Sequence, residues 1–314
     1  MRLLVTGGAG FIGSHLTERL LDLGHEVRVL DNFSTGRREN LAFGRGRAAL
    51  DVREGDLRDA AEVCRAVAGV DGIFHQAALV SVPRSIAEPA LSFEINAAGT
   101  LRLFEAARRA GVRRIVYASS AAVYGDGLAP PLRETMALRP LSPYGLDKLY
   151  TEQLGALYAS LYGLAPVALR YFNVFGPRQD PGSPYSGVIS ILVDRLRGGE
   201  APTIYGDGEQ TRDFVYVLDV VEANLASMWG RHHGFRAFNV GRGERLSLNG
   251  LVALLQDLMD VRLPVRYAPA RAGDIRHSQA DISAIAAELG FTPQWDVKRG
   301  LAALVRSLTE GDAA

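Results

Sequence analysis

The stretch RLLVTGGAGFIGSHLTERLLDLGHEVRVLD, residues 2–31, constrains the fold more than any other part of the chain. A short apolar run ends in glycines, a periodic apolar pattern follows and stops at Gly24, and a second strand-like run closes the unit. Two strands joined by a helix within roughly 30 residues lie parallel in one sheet, because a helical crossover returns the chain in the same direction. Gly7, Gly10 and Gly13 occupy the turn between strand and helix with G-x-x-G-x-x-G spacing. Glycine lets that turn close tightly and leaves the first helical N–H groups uncovered, with the positive end of the helix dipole behind them. This arrangement suits a pyrophosphate, and its place between strand and helix predicts a dinucleotide. Asp31 ends the second strand, where a carboxylate binds both ribose hydroxyls of the adenosine half and repels a 2′-phosphate. NAD is therefore expected rather than NADP, with Arg37 and Arg38 the nearby cations that argue the other way. Asp56, in GDLRD, is expected at the adenine edge.

The rhythm continues. GIFHQAA reads as a strand, NAAGTLRLFEAARRAG as a long helix, RRIVYASS as a strand, SPYGLDKLYTEQLGALYASLYG as a helix and PVALRYFNVFG as one further strand. Such alternation predicts an α/β fold, a doubly wound parallel sheet covered by helices on both faces. From about residue 174 proline and glycine crowd GPRQDPGSPYSG, and GDGEQTRDF makes a polar loop. The reading is a first domain over 1–173 and a smaller α/β domain over 174–314 that is interleaved with it.

Lysine plus arginine number 35 and aspartate plus glutamate 35. A chain without net charge has no long-range field to gather phosphate backbones or acidic lipid, so neither nucleic acid nor membrane is an expected partner. Cys64, the one cysteine, has no partner for an internal disulfide and fits a reducing cytoplasm. No apolar run approaches the roughly 20 residues that cross a bilayer, the N-terminal run turns into glycine too early for a secretory signal, and no metal ligand set is expected.

In SPYGLDK, residues 142–148, Ser142 can cap a helix and Pro143 suits its first turn. Tyr144 and Lys148 then lie i,i+4 on one face. A neighbouring ammonium and the positive helix end both favour the phenolate, so the phenol is expected to titrate below its ordinary value near 10. That produces a base suited to taking a proton from an alcohol as hydride leaves its carbon. Ser119 and Ser120 end the preceding strand, at the carboxyl edge where ligands bind in such sheets.

Cradle, acidic strand end, strand-end serines and Tyr-x-x-x-Lys follow in this order. With GGAGFIGSHL, LDNFSTGRREN, ASSAAVYG, SPYGLDK, LRYFNVFGPRQDP, GDGEQTRDFVYVLDV and RAGDIRHSQAD, the chain resembles the extended short-chain dehydrogenases/reductases, and among them the UDP-hexose 4-epimerases, from Met1 to about Trp295. The resemblance implies a Rossmann-type sheet with a smaller C-terminal nucleotide-sugar domain, NAD as cofactor and a UDP-sugar as substrate. It implies Tyr144 as base, Lys148 at the nicotinamide ribose and Ser120 at the sugar oxygen, with Ser119 a cofactor or structural neighbour. Cofactor contacts are implied for Gly7, Gly10, Phe11, Ile12, Gly13, Asp31, Asn32, Ser34, Gly36, Asp56, Leu57, Gln76, Ala77, Asn96, Tyr144, Lys148 and Tyr171. Nucleotide-sugar contacts are implied for Ser120, Asn173, Val188, Tyr205, Arg212, Arg271 and Asp274, the two arginines clamping the diphosphate.

Related 4,6-dehydratases carry Asp and Glu after the serine or threonine, and the sugar-acid decarboxylases a glutamate at the second position. Here Ala121 and Ala122 stand there, and alanine shuttles no protons. Ser278 falls where the resembling epimerases limit the sugar pocket by side-chain size, and a small residue there implies room for an N-acetyl group. Apolar stripes on helices 92–110 and 143–162 match those that pair in family homodimers. The alternatives are a UDP-glucuronate 4-epimerase, a keto-sugar reductase and, outside enzymes, a dinucleotide-sensing scaffold.

Overall fold

The computed structural model describes residues 1–179, 187–270 and 275–311. The opening unit is β1 (Arg2–Thr6), α1 (Phe11–Asp22) and β2 (Glu26–Asp31), with Gly24 in the left-handed region as the sequence requires. There follow β3 (Leu50–Glu54), α2 (Ala60–Val67), β4 (Gly72–His75), the short helices α3 (Val82–Ala87) and α4 (Pro89–Phe93), α5 (Gly99–Ala110), β5 (Arg114–Ser120), α6 (Pro143–Tyr162) and β6 (Ala165–Tyr171). The later half holds β7 (Asn173–Phe175), α7 (Val188–Arg197), β8 (Thr203–Tyr205), β9 (Thr211–Arg212), β10 (Phe214–Tyr216), α8 (Val217–Trp229) and β11 (Arg236–Val240). It ends with β12 (Leu246–Ser247), α9 (Leu248–Met259), β13 (Arg266–Ala268), α10 (Ser283–Leu289) and α11 (Val297–Gly311).

Seven strands form one parallel sheet in the order β11-β6-β5-β4-β1-β2-β3. Because successive strand residues face opposite ways, neighbours in β1 serve two cores. Leu3 and Val5 join Val29, Phe74 and Val116 beneath Leu16 and Leu20 of α1 and Val220 of α8. Leu4 joins Ile73 and Ile115 beneath Val63 of α2, Phe104 of α5 and Tyr158 of α6. Burial on both faces explains why these strands read as continuous apolar runs. The sheet is the Rossmann-type architecture expected from the sequence, and its strand order reverses between β1 and β4.

Two local expectations change. PVALRYFNVFG is two strands, not one: the Phe172 N–H turns to the Val240 carbonyl and the Asn173 N–H to the Asp213 carbonyl, so pairing passes from β11 to β10. The long helix over NAAGTLRLFEAARRAG starts inside a π turn, Glu94–Ala98, before α5 proper. The later half also completes the main sheet, since β11 pairs with β6 and α8 covers the α1 face. A third core, including Phe175, Ile189, Phe214, Leu251 and Leu301, packs the remaining later elements. Among the described residues, no helix is long and apolar enough to cross a membrane.

Candidate active site

The glycine turn follows directly from β1. Gly7 has φ of +69°, and a Cβ there would lie 2.7 Å from the Ala77 nitrogen, so only glycine fits. A Cβ on Gly13 would run into the Gly7 carbonyl. Gly10 is different: among the described residues its Cβ would approach the Gly7 carbonyl alone, at 3.2 Å, with open space beyond. Gly10 is the N-cap of α1 and no side chain caps that end, which leaves the first N–H groups, from Phe11 onward, for an anion. A cradle that side chains would fill and an uncapped helix end together fit a pyrophosphate.

Asp31 ends β2 and accepts the N–H groups of Ala9 (2.9 Å) and Phe33 (2.8 Å); burial raises its pKa while those two bonds act to lower it. A Cβ on Gly36 would sit 2.9 Å from both its carboxylate oxygens. Asn32 donates to Asp56 (2.7 Å) and accepts from the Ser34 N–H (3.0 Å), which gathers these three at the ends of β2 and β3. Arg58 grips Asp56 and holds its carboxyl well below the usual range. Leu57 belongs to the core with its side chain, so its backbone is what a ligand can reach. Arg38 pairs with Glu54 at 2.5 Å and lies over the Phe33 ring, so that cation already has partners.

Beyond β4 the Ala77 nitrogen borders Gly7, and Gln76 joins a triangle that sequence reasoning missed. Tyr171 donates to Gln76 (3.2 Å), Gln76 to Asn224 (3.0 Å), and Asn224 to Tyr171 (2.8 Å). Asn224 comes from α8, distant in sequence and without a local motif. Asn96 lies in the π turn, with its amide oxygen accepting the Leu79 N–H at 2.8 Å and its nitrogen donating to the Leu79 carbonyl at 3.1 Å.

At the carboxyl end of β5, Ser120 accepts the Ala122 N–H (3.1 Å), and its side chain lies near the Tyr144 phenol. Ser142 caps α6 by accepting the Gly145 N–H, as its sequence position predicts. Tyr144, Asp147, Lys148 and Thr151 are buried at i, i+3, i+4 and i+7, one face of α6 turned inward. Lys148 donates to the Ala118 carbonyl at 2.7 Å and lies 5.8 Å from the Tyr144 ring centroid.

The expected fall in the Tyr144 pKa is not what this geometry produces. Burial pushes the phenol up, and the neighbouring Ser120 hydroxyl opposes it only in part. Lys148 is itself buried and lowered to about 8, with Asp147 the charge that opposes the fall. Its ammonium is turned toward a backbone carbonyl rather than the phenol oxygen.

Ser119 points the other way. It donates to Glu152 at 2.5 Å, and Glu152 forms a buried ion pair with Arg170 at 2.7 Å that continues to Tyr124 and Asn239. This fits the structural half of the expectation for that serine.

Among the residues read as nucleotide-sugar contacts, Asp213 is the organising residue; it lies within GDGEQTRDFVYVLDV, but sequence reasoning gave it no role. It has no exposed surface and accepts the N–H groups of Arg242 (2.7 Å), Gly243 (3.0 Å) and Ala280 (2.9 Å); burial raises it to about 6. Asn173 donates to its carbonyl with both backbone and side chain. The Ser278 N–H donates to Thr211, next to Arg212. The structure therefore brings Asn173, Arg212 and Ser278 together around Asp213. Val188 opens α7 and Tyr205 closes β8. Arg271 and Asp274 lie outside the described residues.

The model of the NAD dependent epimerase/dehydratase family matches residues 3–241. A UDP-glucose 4-epimerase from Mycolicibacterium smegmatis is 40% identical over 97% of this chain and 97% of its own length. Among solved structures, a UDP-N-acetylglucosamine 4-epimerase from Methanobrevibacter ruminantium, in complex with UDP-N-acetylmuramic acid, is 39% identical with a TM-score of 0.94, covering 99% of this chain and 98% of its own. The Thermus thermophilus UDP-glucose 4-epimerase, in complex with NAD, is 38% identical with a TM-score of 0.90, covering 98% and 99%.

Proposed function

The chain belongs to the NAD-dependent epimerase/dehydratase family, and from that premise we propose that it is an isomerase, an NAD-dependent 4-epimerase of UDP-hexoses acting on UDP-glucose and UDP-galactose and also on their N-acetylated counterparts. The observation that carries this reading is the convergence of Ser120, at the carboxyl end of β5, with Tyr144 and Lys148 on the buried face of α6, with alanines at 121 and 122.

NAD, when bound, supplies the acceptor that takes hydride from carbon 4 of the sugar and the donor that returns it. Gly7, Gly10 and Gly13 with the open end of α1 would hold its pyrophosphate, and Asp31 its adenosine ribose. Tyr144 takes the proton of the sugar 4-hydroxyl and gives it back, while Ser120 fixes that oxygen. Burial raises the phenol, so its use as a base needs a cation close by, and Lys148, 5.8 Å from the ring centroid, is the ammonium on the same face of α6. Arg212 would grip the diphosphate with its planar guanidinium, which leaves the sugar ring free to turn over, and the sequence reading assigns Arg271 to the same diphosphate. The turn at Ala121–Val123 offers no side-chain acid or base for removing water. The exposed apolar side chains Phe93 of α4 and Leu146, Leu157 and Leu161 of α6 support a homodimer, and the reading places the enzyme in the cytoplasm.

Incubation with UDP-glucose, UDP-N-acetylglucosamine and UDP-glucuronate in turn, without added cofactor, tests the reading by chromatography of the products. The expected result is the C4 epimer of the first two. Absence of a C4 epimer from all three overturns it, and an epimer from the glucuronate alone reassigns the substrate. Tyr144→Phe should keep its bound NAD and lose about 10²–10⁴-fold in kcat.

A further inference from the structure

Lys148 and Lys298 are the only lysines among the chain's 35 lysines and arginines. A chain that uses arginine almost everywhere keeps an amine at the inward face of α6, where a group able to change its protonation state differs in kind from a guanidinium. What surrounds that amine therefore matters.

Asp147 precedes it and is itself 4% exposed. Its carboxylate oxygen accepts the Ser92 hydroxyl at 2.6 Å and the Asn96 amide at 3.3 Å. Asn96 in turn holds Leu79, on the loop after β4 that begins with Gln76 and Ala77. The π turn around Asn96 widens the helix there, and such turns concentrate at functional sites.

The other charged and titratable groups on the elements packed against α6 are already engaged. From β4, His75 bridges Thr6 and Thr100 and is held near 3, hence neutral. Glu152 of α6 pairs with Arg170 of β6, Glu94 of the π turn with Arg102 of α5, Arg84 of α3 with Glu88, and Glu105 of α5 with Arg108 and Arg109. Tyr117 of β5 donates to the Thr151 carbonyl. Among the described residues, Asp147 is the buried acid beside Lys148 with neutral hydrogen-bond donors rather than a cation as its direct partners.

We propose that Asp147 is a positioning residue of the active site: its carboxylate, fixed by Ser92 and Asn96, keeps Lys148 in the ammonium form and ties the lysine to the loop carrying Gln76 and Ala77. The proposal deepens the epimerase reading and rests on it for its consequence in catalysis. The sign is fixed by burial. Lys148 is already lowered to about 8, and Asp147 opposes that fall. Removing the negative charge lowers the lysine further and brings its neutral form into the physiological range. The phenol then loses its cation at a lower pH.

The two-lysine composition makes the test direct. Lys298 is exposed, so Lys298→Arg leaves Lys148 as the single lysine signal in protein labelled with carbon-13 and nitrogen-15 at lysine. In that background, saturated with NAD, the Lys148 titration midpoint should fall by about one pH unit on Asp147→Asn, whose amide oxygen can still accept from Ser92 and Asn96. Ser92→Ala removes a hydrogen bond while leaving the charge, and should leave the midpoint within about 0.3 of a unit. The alkaline limb of kcat/KM for UDP-glucose should move down with the Asp147→Asn midpoint. An unchanged midpoint in Asp147→Asn overturns the proposal, and so does an equal fall in Ser92→Ala, which would assign the effect to packing. The titration needs no substrate, so it decides the proposal even if no sugar nucleotide is epimerised, the outcome that would sink the epimerase reading instead.

Discussion

At Ser278 the backbone is held from two directions. Its N–H donates to the Thr211 carbonyl at 3.1 Å, and two residues on the Ala280 N–H donates to the Asp213 carboxylate at 2.9 Å. The residue is 8% exposed, so a larger group placed there cannot be carried outward by a yielding segment. Ser278→Tyr should therefore remove space rather than move the loop. In the epimerase reading kcat/KM for UDP-N-acetylglucosamine should fall by about 100-fold, the scale of pocket-size discrimination, while UDP-glucose changes by less than about threefold. Parallel rate measurements on the two substrates check this, and equal losses would remove Ser278 from the pocket. Asp213 explains why the segment holds firm: an unpaired buried carboxylate is costly, and three N–H donors from two segments offset much of that cost.

At the level of elements, the cradle separates two glycines that look alike in sequence. Gly10 has an extended backbone that alanine adopts freely, and its Cβ would meet only the Gly7 carbonyl. Gly13 packs against the Gly7 backbone, which cannot move aside as a flexible side chain would. Gly10→Ala should fold with Tm within about 1 °C of the parent yet retain NAD at least tenfold more weakly, because the methyl group enters the phosphate space. Gly13→Ala should lower Tm by about 2–5 °C and by more than Gly10→Ala does, since overpacking against fixed backbone costs about 1–3 kcal/mol. Thermal melts and the NAD content after purification read both, and full NAD retention in Gly10→Ala would exclude it from the cradle. These elements were legible because their signals are local: apolar period, capping serine and glycine spacing all lie within one turn or strand of what they specify. The break at Phe172 was not legible, because it depends on which distant strand accepts the next N–H, Val240 or Asp213. Asn224, bonded to Gln76 across 148 positions, was invisible for the same reason. The Tyr144 titration was misjudged because spacing reports proximity along a helix, whereas burial depends on everything packed around it.

For the molecule as a whole, the unit that binds a dinucleotide and the chain that follows it are one folding problem. β6 lies between β5 and β11, so a chain ending at 173 would expose its far edge, a row of open N–H and C=O groups on a strand that is otherwise almost wholly buried. The same cut removes α8, which supplies Val220, Val221, Leu225 and Met228 to the core over β1 and β4. It also removes Asn224 from the Gln76–Tyr171 triangle and Asn239 from the network beneath Ser119. A boundary at 173 thus divides sequence texture, while the packing crosses it. We infer that residues 1–173 do not fold alone, despite carrying the cradle, Asp31, Ser120, Tyr144 and Lys148. Expressed by itself, that fragment should show no cooperative thermal transition by circular dichroism and should retain no NAD. Co-expression with residues 174–314 should restore both, since β11 and α8 then re-form the sheet edge and the missing core wall. A sharp, reversible melt of the isolated fragment would mean that the first six strands already hold a sufficient core, and that the later half is an addition to a finished fold.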